Sequence, residues 1–223
     1  MPNQIEAQPS NSACALAARA SRCEQKGRDM SDPIEVLDYW LGAVGPQGWY
    51  AGGEDLGGEI TALFAPIWAA AHEGALEHWA EGCVGTLAYL IVCDQFPRNM
   101  HRGSPLAFAT DACARTAAKR AIESGWDLEA PEPERQFFYM PLEHSEDLAD
   151  QDLAVQYMNA RLSSQPDMAL HACAHREIIA RFGRFPFRNA ALGRETTAAE
   201  AEFLASGGYM TIVNALKSNA ASA

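Results

Sequence analysis

Apolar positions recur at helical spacing through most of this chain. Leu56, Ile60, Leu63, Phe64, Ile67, Trp68 and Ala71 follow an i, i+3, i+4, i+7 stripe, the period that turns one face of an α-helix toward a core. Pro66 lies inside that stripe and is expected to kink the helix. Residues 83–95 are apolar on nearly every side, through Val84, Leu87, Leu90, Ile91 and Val92, which predicts a central, buried helix. Leu148, Val155 and Leu162 mark another helix, with Met158 between them, and Ala172, His175, Ile178, Ile179 and Phe182 mark the next.

The punctuation between stripes is helical too. Asp32-Pro33 with Glu35 is a capping arrangement, and Thr197-x-x-Glu200 is a capping box. Ser104-Pro105 opens an alanine-rich helix to about Ser124, closed by Gly125, and a shorter helix over 132–140 is stopped by Pro141. Gly183 and Gly207-Gly208 end two more. Gly52-Gly53 and Gly57-Gly58 follow no strand and read as loop glycines, with Trp49 and Tyr50 in the same loop packed onto the core. The pattern predicts an all-α fold of seven to nine helices in an antiparallel array, one domain over residues 31–216. Residues 1–30 are small, polar and aperiodic, as in a disordered tail, and 217–223 read as a flexible end. Met30, just before the first cap, is an alternative translation start.

Charge narrows the function. The net charge of −12 argues against a nucleic-acid or anionic-membrane surface, since phosphate binding runs on clustered cations. Only Lys26, Lys119 and Lys217 are lysines; the other cations are arginines, the side chain suited to planar, two-pronged pairing with carboxylate or phosphate. The six cysteines contain no C-x-x-C pair and follow no secretory signal, so reduced thiols and a cytoplasmic location are expected.

Three segments concentrate polar chemistry: Asp94-Gln95-Phe96-Pro97-Arg98-Asn99, Met140-Pro141-Leu142-Glu143-His144-Ser145-Glu146-Asp147, and the stretch from His175 to Arg194 that contains Arg184, Arg188 and Asn189. There is an internal echo, in which Phe96-Pro97-Arg98-Asn99 and Phe185-Pro186-Phe187-Arg188-Asn189 each place an aromatic, a proline and an Arg-Asn pair past a helix end. These segments, together with Val36-Leu37-Asp38-Tyr39-Trp40, resemble the signature of the bacterial domain-of-unknown-function 924 family, over roughly residues 31–205. Phe187 departs from the histidine expected there in relatives. The resemblance implies an all-helical fold similar to tetratricopeptide-repeat superhelices, and no activity.

Two accounts of the polar segments stand side by side. In the structural one, the acidic residues of 129–152 face the arginines of 176–194 and fix helix register. In the functional one, Arg98, Arg184 and Arg188 converge on a small anionic metabolite in a polar cleft, with Asp94, Asn99 and Asn189 lining it. His144, flanked by Glu143 and Asp147, is then the acid–base group, its pKa raised by those carboxylates, with Asp147 its partner. The rival function is a protein–protein interaction module without catalysis. No phosphate loop, nucleophile elbow or cofactor motif occurs. His171-x3-His175 puts two imidazoles on one helix face, yet His175 lies on the apolar stripe and reads as a hydrogen-bonded core histidine, and no metal is expected.

Overall fold

The computed structural model describes residues 32–221, and these contain helices and turns without a strand. The tail, with Met30, lies outside the described residues. Helix α1 (Pro33–Leu37) begins where expected: the Asp32 carboxylate accepts the Ile34 N–H at 2.9 Å and Pro33 needs no partner of its own. It widens into a π-helical stretch, Asp38–Val44, that buries Trp40. The Trp49 indole N–H donates to the Trp40 carbonyl at 2.7 Å, tying the following turn to the core.

Helix α2 (Glu54–His72) starts at Glu54 and runs through Pro66 to His72. Gly57 and Gly58 are therefore helical rather than loop residues. The reason at Gly57 is contact: a Cβ there would lie 2.6 Å from the Asn99 carbonyl oxygen. Helix α3 (Cys83–Leu90) is buried from Thr86 onward, as its apolar sequence predicts, while Val84 near its start is exposed; it passes through a π turn, Ile91–Gln95, into α4 (Phe96–Met100). Ser104-Pro105 opens a separate 3-10 turn, and the alanine-rich helix α5 (Asp111–Glu123) begins only afterwards. Pro141 does not stop a helix. The 3-10 turn Glu134–Phe138 precedes it, and Pro141 sits in the first turn of α6 (Met140–Glu143), where its missing N–H costs nothing.

Helices α7 (Leu148–Arg161) and α8 (Pro166–Phe182) pack as neighbours across a short turn, and α6 rests on α7. Helix α9 (Ala198–Ala205) opens with the complete Thr197–Glu200 capping box. Helix α10 (Tyr209–Ala221) packs on α8 and continues past residue 216, where a flexible end was expected. One large apolar cluster runs from Val36 to Ala172, centred on Trp40, Phe64, Phe96, Phe137 and Phe138. A smaller one joins Ile178, Ile179, Phe185 and Phe203. The edge-on contacts of Trp40 with Phe96 and of Trp49 with Phe137 each contribute about 0.5–1.5 kcal/mol beyond area burial. No helix among the described residues is long and apolar enough to cross a membrane.

Candidate functional site

The site begins with the π turn after α3. A π turn is a wide, rare helical geometry that recurs at functional sites, and this one holds Asp94 and Gln95 after three apolar residues. Asp94 is 1% exposed. Its carboxylate receives the Gln95 amide at 2.6 Å, Arg98 at 3.1 Å and His144 Nδ1 at 2.8 and 3.0 Å. Burial pushes its pKa up, but Arg98 and the hydrogen-bonding His144 outweigh burial and hold it down at about 2. It is thus a charged, buried acceptor.

An imidazole nitrogen facing two carboxylate oxygens must carry the proton, so His144 presents Nδ1–H to Asp94. Burial lowers the His144 pKa, as does nearby Arg98, and these exceed the opposing effect of Asp94 and Glu143. The ring is neutral at pH 7, which leaves Nε2 with a free lone pair. No protein group among the described residues binds that nitrogen.

A second pair repeats the arrangement. Glu143, 2% exposed, places Oε1 2.5 Å from His175 Nδ1, which also faces the His171 carbonyl at 3.1 Å. Two acceptors again fix the proton on Nδ1. Burial raises the Glu143 pKa, but the neighbouring His175, with smaller effects from His144 and His171, brings it below the ordinary value. The His144 and His175 rings stand edge-to-face, 6.3 Å between centroids. His171 meets the Tyr209 hydroxyl through Nδ1, and burial lowers its pKa. The buried Gln151 side chain holds the chain in this shape, donating to the Glu143 and Ser145 carbonyls at 2.5 and 2.6 Å.

These rings open onto a cavity of about 540 Å³ lined by Tyr50, Met140, Glu143, His144, Gln165, Asp167, Met168, His171, His175 and Tyr209. That volume lies within the usual range for small-molecule sites. Tyr50 stands as an exposed cavity wall rather than a core residue, whereas Trp49 beside it is buried.

The arginines lie elsewhere. Arg98 binds both oxygens of Asp111, at 2.8 and 3.0 Å. Arg188 donates to the His144 carbonyl at 3.0 Å, stands 3.6 Å from Asp111, and packs over Phe108 and Phe185. Burial and the adjacent Arg98 push its pKa down to about 10, so it stays charged at pH 7. Arg184 is far from both in its partners: Glu200 binds it at 2.6 and 2.8 Å, and the Glu195 carbonyl accepts from it. Asn189 joins the same Glu200 at 3.3 Å. Asn99 donates to the Gln95 carbonyl and accepts from Arg102. The three guanidiniums therefore do not share one anion site, because each is already matched to a carboxylate.

Asp147 is likewise no partner of His144. It caps α7, accepting the Ala149 N–H at 2.8 Å, and Asp94, fifty residues upstream, takes its place. The His144 pKa moves down, not up, because burial outweighs the flanking acids. Acidic and basic segments do pair in part, through Arg194–Glu146 and Arg176–Asp152. No group of three or more His, Cys, Asp or Glu among the described residues is arranged to hold a metal ion.

The match to a family model completes the picture: residues 36–208 fit that of "Bacterial protein of unknown function (DUF924)". The chain belongs to the DUF924 family. A solved structure of a protein of unknown function from Agrobacterium tumefaciens is similar to it, with 38% identity, a TM-score of 0.71, and coverage of 77% of this chain and 96% of that one. No curated protein matches the chain. In this DUF924 chain the internal echo has a spatial meaning. Its two phenylalanines, Phe96 and Phe185, are fully buried, and its two arginines meet on Asp111 and flank Phe108. The sequence placed Glu143 beside His144 but concealed its pairing with His175, and it concealed the cavity-facing roles of His175, Tyr209 and Tyr50. Their one signal was the His171-x3-His175 spacing, since a histidine on an apolar stripe looks the same whether it faces a core or a cavity wall.

Proposed function

We propose that the cavity is a small-molecule site in which His144 acts as general base and His175 stands beside it as a second imidazole. The observation that carries this is the paired arrangement. Two imidazoles meet at 6.3 Å on one cavity, each with Nδ1 beside a buried carboxylate, Asp94 at 2.8 Å or Glu143 at 2.5 Å. Fixing Nδ1 in this way sets the tautomer and aims Nε2 for proton transfer. The neutral state of His144 suits removal of a proton from a hydroxyl, a water molecule or an acidic C–H group. The arginine network holds the base instead of binding the ligand: Arg98 keeps Asp94 ionised, and Arg188 fixes the His144 backbone.

An interaction groove fits less well. The exposed large apolar residues (Tyr50, Val84, Leu106, Leu128, Leu148, Phe187, Leu204 and Met210) include no two on one helix, whereas a peptide-binding face needs contiguous apolar surface. The test is a screen of small metabolites followed by the histidine side-chain resonances. A true ligand moves both His144 and His175, and any turnover it undergoes falls at least about 100-fold, the scale of lost acid–base catalysis, in His144→Asn. Ligands that leave both imidazoles undisturbed, or turnover indifferent to His144→Asn, would refute the proposal.

A further inference from the structure

One carboxylate oxygen on the cavity wall is open to a ligand. Glu143 spends one carboxylate oxygen on His175, but no hydrogen bond from the described residues reaches its Oε2. The residue is 2% exposed and lines the cavity, and Oε2 meets the cavity rather than a protein donor. The neighbouring hydroxyls are engaged elsewhere. Tyr50 donates to Gln136 Oε1, and Tyr209 is bonded to His171. Both phenols nevertheless lie close enough to Glu143 for its charge to raise their pKa values, behind the larger effect of burial.

The sign of the remaining lining is consistent with this. Asp167, exposed in the first turn of α8, adds a second carboxylate at the cavity. No lysine or arginine lines the cavity, and burial keeps His144 and His171 from taking up charge. Tyr50, Tyr209, Met140 and Met168 supply aromatic and thioether surface. A cation is attracted to the faces of such rings and to the carboxylate, and an apolar group is accepted by the thioethers.

We propose that this cavity selects a protonated amine with an apolar body, its ammonium group seated on Glu143 and its body against Tyr50 and Tyr209. The proposal rests on the small-molecule function above and adds the ligand's charge. The ammonium donates to Oε2, and the base at His144 lies within the same cavity as the carbon bearing the amine.

Three probes of one shape decide the sign: benzylamine, benzyl alcohol and benzoate, titrated at pH 7 against the histidine side-chain resonances. Benzylamine is expected to bind at least tenfold tighter than benzyl alcohol, with benzoate weakest. Glu143→Gln should weaken benzylamine at least tenfold and leave benzyl alcohol within threefold, and Asp167→Asn, at an exposed position, should weaken benzylamine by a smaller factor. Benzyl alcohol binding as well as benzylamine, or benzoate binding best, overturns the amine proposal while leaving the small-molecule site intact. The amine proposal also fails if neither substitution affects benzylamine. If none of the three probes moves His144 or His175, both proposals fall together.

Discussion

Arg98 grips Asp111 through two parallel hydrogen bonds while the same guanidinium lies 3.1 Å from Asp94. One cation thereby serves two carboxylates, and Arg188 is the second cation in reach. Replacing Arg98 by alanine leaves buried negative charge undercompensated. The expected loss is about 3–5 kcal/mol, as for removal of one partner of a buried pair, measured by urea unfolding. In the same variant the His144 pKa should rise, because Arg98 lowers it. A histidine NMR titration in which His144 does not move would break the electrostatic link.

Arg184 provides the contrast. It belongs to the Glu200, Thr197 and Asn189 cluster at the start of α9. Arg184→Ala is expected to leave the His144 and His175 resonances in place. Thr197→Ala should cost about 1 kcal/mol through loss of the helix cap, again without a change at the cavity. A shift of either imidazole in these variants would show that the cluster and the cavity are coupled.

Acid should destabilise the protein in two stages. His144, His171 and His101 all have pKa values below the ordinary 6.5, burial being the largest cause in each. The unfolded chain then binds more protons than the folded one just below pH 6.5, so stability present above that pH is lost as pH falls through the folded values. Asp94, held at about 2 against an ordinary 3.8, contributes stability present above pH 3.8 and lost toward pH 2. The melting temperature should fall between pH 7.5 and 5, and His144→Gln should flatten that fall. A melting temperature independent of pH over this range would contradict the buried neutral imidazoles.

Gly57→Ala tests the packing of α2 against α4. The new methyl would meet the Asn99 carbonyl oxygen at 2.6 Å, and a backbone atom does not swing aside as a side chain can. A loss of about 1–3 kcal/mol is expected, typical of overpacking. An unchanged unfolding midpoint would mean that the two helices separate freely.

Much of the fold was written locally. The Asp32 and Thr197 caps, the Ile60–Phe64–Ile67 stripe and the apolar helix α3 each follow from neighbours within a few residues, and each forms as its pattern predicts apart from the exposed Val84. Where the pattern misled, it did so at Pro and Gly. Pro141 starts a turn instead of ending one, and Gly57 makes room for another helix. The site was legible as three segments but not as pairs. Whether His144 meets Asp147, three residues away, or Asp94, fifty residues away, depends on how α6 docks against the π turn. Counting arginines gave a similar error, because their carboxylate partners Asp111 and Glu200 lie in helices outside the three segments.

The wide turn at Ile91–Gln95 carries a constraint on length. A π turn closes i→i+5 rather than i→i+4, so each residue turns its side chain by less than the roughly 100° of an α-helix, and removing a single position there would rotate the acid relative to α3 even if every other amino acid were retained. Volume-conserving substitution can be tolerated at Ile91 and Val92, but insertion or deletion should not be. A shortened variant would keep the helices and take the carboxylate from beside the base.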